Sequence, residues 1–220
     1  DNVAVGSNAG DAVTTASDNT FIGDNSGGAT TTGGNNVAVG SGSLLVATTA
    51  VDNVSIGTDS LAATGAGTDG SYNTAVGTSA LAANTEGQFN VAVGRRALYA
   101  NTTADYNVAV GYLTLVTNTT GEYNVAVGNG ALQLSTTSSN NVAVGNAALG
   151  ANTTGASNVA VGYNALDAST TASNNVAVGT SALSANTSGT DNVAVGDSAL
   201  DVNTTGSDNT AIGDNALGAN

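Results

Sequence analysis

The sequence predicts an all-β fold, a repetitive parallel β-roll or β-solenoid of thirteen coils of about 17 residues each. Three observations predict it. The pentapeptide Asn-Val-Ala-Val-Gly, with small variations, recurs thirteen times in register. The unit carries paired β-branched residues, an unvarying Gly and an Asn-Thr-Thr-Gly type of turn, with no 3.6-residue period that a helix would need. The alphabet is also that of a repeat protein: 30 Gly, and no Pro, Cys, Met, Trp, His or Lys.

The repeat opens on Asn2, Asn19, Asn36, Asn53, Asn73, Asn90, Asn107, Asn124, Asn141, Asn158, Asn175, Asn192 and Asn209. Every spacing is 17 residues except Asn53 to Asn73, which is 20. The three extra residues fall within 64–72, where Gly65, Gly67 and Gly70 suit a longer turn. We number positions in the unit from this Asn. Positions two to four, Val-Ala-Val, form a short strand with β-branched residues on one face and Ala on the other. Position five is always Gly: Gly6, Gly23, Gly40, Gly57, Gly77, Gly94, Gly111, Gly128, Gly145, Gly162, Gly179, Gly196 and Gly213. It marks a bend that needs a positive φ or the absence of a side chain. A small residue and Leu at positions eight and nine, from Leu44 to Leu217, predict a second short strand; Gly10 and Gly27 replace the Leu in the first two copies. The Asn/Thr/Gly run then returns the chain. One coil buries too little apolar surface to stand alone, so the coils must stack, Asn on Asn and Gly on Gly. The chain reads as a single solenoid domain over 1–220 and as a fragment of a longer array.

Composition excludes several function classes. Charged residues are only 8%, against roughly 25% in ordinary globular chains. The net charge of −14 comes from sixteen acids against Arg95 and Arg96, which opposes binding to nucleic acid or to an anionic membrane. No stretch approaches the roughly 20 apolar residues of a membrane helix, so no direct membrane insertion by this segment is expected. Without His or Cys there is no Ser-His or Cys-His pair and no thiolate zinc site, so neither an enzyme nor a cofactor is expected.

The Val face of the strand is expected to line the inside of the coil with the Leu. The opposite face then carries Ala4, Ala38, Ala75, Ala92, Ala109, Ala126, Ala143, Ala160, Ala177, Ala194 and Ala211, interrupted by Phe21 and Ser55. A solvated strand face would show alternating polar residues, so an Ala row reads as a surface for close packing in a homo-oligomer, and a tight axis there must accommodate Phe21.

At the serial pentapeptides Asn2–Gly6, Asn36–Gly40, Asn90–Gly94 and Asn141–Gly145 the chain resembles the YadA-like head repeats of trimeric autotransporter adhesins, whose signature is [Asn/Ser]-x-Ala-[Val/Ile]-Gly. Similar repeats look at home in phage tail fibres. The resemblance covers nearly the whole chain. It implies a left-handed β-roll of three intertwined chains, a bacterial surface location outside the cell, and adhesion to a host surface, matrix protein or glycan. The 17-residue unit is longer than the usual family repeat, and no heptad stalk or anchor segment appears.

Asp24, Asp59, Asp197 and Asp214 follow the bend Gly and could form a sparse acidic ladder for calcium, but the Gly-Gly-x-Gly-x-Asp pattern is missing. Asn101, Asn118, Asn152, Asn186 and Asn203 stand in N-glycosylation sequons, read first as turn chemistry. Arg95 and Arg96 are candidate contacts, paired with an acid such as Glu86 or with a partner. Tyr72, Tyr99, Tyr106, Tyr112, Tyr123, Tyr163 and Phe89 are expected to plug the wider turns, or else to bind a glycan or a protein. The function expected is a non-enzymatic extracellular fibre segment, an adhesin head or rod. A phage tail-fibre shaft is the alternative, and an ice-binding or self-assembling filament solenoid a third reading.

Overall fold

The structure is a computed structural model that describes residues 1–64 and 70–218. Residues 65–69, with Gly65 and Gly67 of the insertion, lie outside the described residues. The chain divides into two compact units, Asp1–Asn107 and Val108–Asn220. The first carries β1 (Val3–Val5), β2 (Thr20–Ile22), β3 (Val37–Val39), β4 (Val54–Ile56), β5 (Thr74–Val76) and β6 (Val91–Val93). The second carries β7 (Val108–Val110), β8 (Val125–Val127), β9 (Val142–Val144), β10 (Val159–Val161), β11 (Val176–Val178), β12 (Val193–Val195) and β13 (Thr210–Ile212).

Within each unit the strands are parallel and follow chain order. The register is strict: Val37 pairs with Val54 and Ala38 with Ser55 in the first unit, Val159 with Val176 and Ala160 with Ala177 in the second. The architecture is therefore an all-β parallel solenoid with 17-residue coils. Each coil bonds both ways. Val37 N–H donates to Asn53 O of the next coil at 2.8 Å, and Gly40 N–H donates to Ile22 O of the previous one at 2.8 Å.

The bend Gly is required by space as well as by φ. Gly40 has φ +132°, and a Cβ there would lie 2.7 Å from the backbone of Gly57 in the next coil. No side chain can occupy that gap, and the same clash with the next coil's backbone recurs at Gly6, Gly57, Gly145 and Gly196, whereas at Gly213 the positive φ alone (128°) favours Gly.

Two expectations are corrected. The Ala-Leu leg is not a second strand. It is two consecutive turns, closed by Ala97 N–H to Gly94 O at 3.2 Å and Asn101 N–H to Leu98 O at 3.2 Å. Leu81, Leu98, Leu149 and Leu183 adopt left-handed backbone (φ 51°, 50°, 52° and 53°). That conformation costs about 1–2 kcal/mol per residue. It points each Leu into the coil, where full burial returns roughly 1.5–3 kcal/mol.

The faces of the strand are also reversed. Ala38, Ala75, Ala92, Ala109, Ala126, Ala143, Ala160, Ala177 and Ala194 are completely buried inside their own coils, Ala211 nearly so, and only Ala4 of the first coil is exposed. They are not a trimer-packing row. The Val columns at positions two and four face outward instead, half-buried to exposed. The reason is width: with Leu and a buried Asn already inside, only a methyl group fits opposite them.

Phe21 shows the same constraint. It is fully buried, and a Cβ on Gly10 would lie 2.7 Å from its ring, while one on Gly27 would overlap it. One Phe at an Ala position thus fills the space of two absent Leu side chains. Ser55, also buried, is accommodated by bonding to Ser60 (Oγ to Oγ 2.6 Å). We expect Phe21→Ala to cost about 3–5 kcal/mol in chemical denaturation. Adding Gly10→Leu and Gly27→Leu should recover most of that loss; no recovery would contradict the packing described.

Candidate functional site

Two kinds of position carry polar chemistry, those sealed inside the coil and those on its surface. Inside, the opening Asn forms a ladder. Asn36 Nδ2 donates to Asn19 Oδ1 at 3.1 Å, and Asn36 N–H donates to the same oxygen at 2.9 Å. The same Nδ2 donates to Ala50 O at 2.9 Å, fourteen residues on, which closes its own coil. Asn158 repeats this with Asn141 Oδ1 (3.2 Å) and Ala172 O (2.8 Å). Each carboxamide therefore joins two coils and fastens one.

A second ladder runs at position twelve. Asn101 Nδ2 donates to Asn84 Oδ1 at 2.8 Å and to Ala104 O at 3.0 Å. This bears on the sequons. Asn101, Asn118, Asn152 and Asn186 are fully buried, and Asn203 is half-buried. Their amide nitrogens, the atoms a glycan would be attached to, already donate inside the coil: Asn118 to Gly121 O and Asn152 to Gly155 O, both at 2.9 Å. A glycan on any of the four buried residues is incompatible with the folded coil.

Position thirteen is Thr wherever it is described. Its hydroxyl donates to the next coil's backbone, as Thr14 to Thr31 O at 2.9 Å and Thr153 to Thr170 O at 2.9 Å. These hydroxyl hydrogens are committed within the protein, while the Thr column at position fourteen is mostly exposed.

On the surface, the aromatic residues form a strip rather than plugs. Tyr72, Phe89 and Tyr106 are 47%, 43% and 45% exposed. Their rings stack at 4.9 Å and 5.1 Å, with planes 1° and 4° apart. All three occupy left-handed positions (φ 62°, 56° and 58°), where the other coils place Asp or Asn except for Tyr123 and Ser157. Stacking, worth about 0.5–1.5 kcal/mol per pair, offsets part of that strain. The ring faces turn toward one another along the ladder and the edges toward solvent. Tyr112, Tyr123 and Tyr163 are exposed too. Arg95 is exposed, and Arg96 lies over the Tyr99 ring at 4.4 Å, a cation–π contact. Asp24, Asp59, Asp197 and Asp214 are all exposed. Among the described residues no three His, Cys, Asp or Glu side chains gather to hold a metal ion, and no helix is long and apolar enough to cross a membrane.

Sequence reasoning placed the Gly bends and the stacking correctly. It missed that the Asn side chains are inside; their repetition at both positions one and twelve, in a chain otherwise poor in large polar groups, was the available signal.

Comparison of the chain with family models, with curated proteins and with solved structures finds no significant match to any of them.

One carboxylate is perturbed. Burial pushes Asp167 above the usual aspartate range, opposed by hydrogen bonds from its own and the Ala168 backbone N–H. The folded state thus holds this proton more tightly than the unfolded chain does, so the contribution of Asp167 to stability is largest at low pH and falls as pH rises through the folded value. We expect Asp167→Asn to flatten the stability profile above about pH 4 and to be more stable than the parent at pH 7. Denaturation midpoints across pH check this, and a variant less stable at pH 7 would contradict it.

Proposed function

We propose that the chain is a non-enzymatic segment of an extracellular fibre, an adhesin head or rod at a bacterial surface, that works as a homotrimer. The observation that carries the reading is the outward Val face. In each unit two columns of Val, Thr or Ile stand half-buried or exposed on parallel, register-locked strands. A contiguous apolar surface larger than a few hundred Å² on a soluble chain marks an interaction face. Because every coil repeats it, the partner must offer a matching repeat, and another copy of this chain does so by construction. The serial pentapeptide that resembles YadA-like head repeats supports the same assembly. The packing residues are then the Val columns, in place of the buried Ala row.

With the Val face between chains, the outer turns and the aromatic strip at Tyr72, Phe89 and Tyr106 remain to meet a host surface, matrix protein or glycan. Repetition of weak contacts would give avidity. Because the stacked rings present edges, a partner that meets them with polar groups at the Tyr hydroxyls fits better than a sugar laid flat on a ring face. A phage tail-fibre shaft is the alternative role for the same assembly, and neighbouring genes separate the two.

The test is solution mass by light scattering after size exclusion. We expect about three times 20.9 kDa. Val142→Lys with Val144→Lys should reduce it to a single chain while β-structure persists. A parent mass of one chain would overturn the trimer and return attention to a single-chain solenoid with exposed Thr columns.

A further inference from the structure

The position-twelve ladder is broken in one place in a way that assigns a ligand. Where it runs intact, the later coil's carboxamide serves two acceptors: Asn203 Nδ2 donates to Gly206 O at 3.0 Å and to Asn186 Oδ1 of the previous coil at 3.2 Å. Between Asn152 and Asn186 the intervening residue is Ser169. Its side chain is too short to reach back as a carboxamide does. Both Asn152 Oδ1 and Ser169 Oγ lie fully buried with no hydrogen-bond partner in the protein. Asn186 Nδ2 gives one hydrogen to Gly189 O at 2.9 Å; by the geometry of Asn203, its second hydrogen is directed toward the level of Ser169.

Ser135 is a built-in control. It also replaces an Asn at position twelve, but its Oγ lies 2.6 Å from Ser138 Oγ. The residue equivalent to Ser138 in the coil of Ser169 is Ala172, which has no hydroxyl. Ser169 therefore lacks the internal partner that Ser135 has.

We propose that Asn152, Ser169 and Asn186 bind one internal water molecule, which takes the place of the missing carboxamide. It would accept from Asn186 Nδ2, donate to Asn152 Oδ1 and share its remaining hydrogen bond with Ser169 Oγ. Three polar partners is the usual complement of a buried water, and a carboxamide shortened to a hydroxymethyl yields room on the order of one water's ~30 Å³. Without such a partner, each buried polar atom would cost about 1–3 kcal/mol. The coil would thus carry a specific water as a structural component.

The test is a crystal structure of the chain at atomic resolution, together with denaturation of Ser169→Asn. We expect a well-ordered density peak within hydrogen-bond distance of Asn152 Oδ1 and Ser169 Oγ. In Ser169→Asn we expect that peak to be replaced by the carboxamide and the denaturation midpoint to rise. No peak at Asn152 Oδ1 in the parent would overturn the proposal, whether or not the variant folds. A folded Ser169→Asn with a lower midpoint would overturn it as well, because a carboxamide that destabilises the coil would find neither the space nor the partners that the water is proposed to use.

Discussion

The structure depends on one bifunctional hydrogen-bonding group, the carboxamide of the Asn that opens each coil. A buried amide must satisfy both its oxygen and its nitrogen, and here it does so in two directions. The oxygen receives the next coil's Asn, backbone and side chain alike; the nitrogen reaches both the previous coil and the far end of its own coil. That double attachment fixes the register of one coil on the next to a single residue. A slip would strand several buried polar groups at once. Asn stacks on Asn even across the 20-residue unit, where Asn73 N–H donates to Asn53 Oδ1 at 2.9 Å, and the bend Gly follows too, since coils held this closely leave no room for a Cβ at Gly40.

The same closeness makes the interior thin. Asn, Leu and a small residue at position eight nearly fill it, so the strand can contribute only a methyl group. This is why Ala faces in and Val faces out, the opposite of the usual rule that larger apolar residues seek the core. The exceptions follow the same logic. Phe21 is tolerated because two neighbouring positions surrender their Leu, and Ser55 because Ser60 accepts its hydroxyl. Even the backbone yields to the interior, with Leu after Leu held in left-handed conformation to turn its side chain inward.

How much of this was legible in the sequence depends on what periodicity encodes. The 17-residue recurrence encodes stacking, strand position and the obligatory Gly, and those readings stand. Periodicity does not encode which face of a three-residue strand is inside, because alternation of Val and Ala is compatible with either. The Ala-Leu leg likewise looked like a strand because turns built on left-handed Leu lie outside ordinary residue preferences. The sequons looked like exposed turns because Asn-Thr-Thr is turn chemistry; that the Asn side chain points inward depends on a neighbour 17 residues away. The aromatic strip was visible as a cluster, but its stacking needed the coil-to-coil register.

An account that rests on buried carboxamides is tested most directly by hydrogen exchange of the Asn side-chain amides, followed by NMR. If Asn36, Asn53, Asn141, Asn158 and Asn175 are held as described, their Nδ2 hydrogens exchange orders of magnitude more slowly than those of exposed Asn such as Asn146 and Asn174. Uniformly fast exchange of every Asn side chain in the folded protein would contradict the ladder and, with it, the register that the rest of the fold requires.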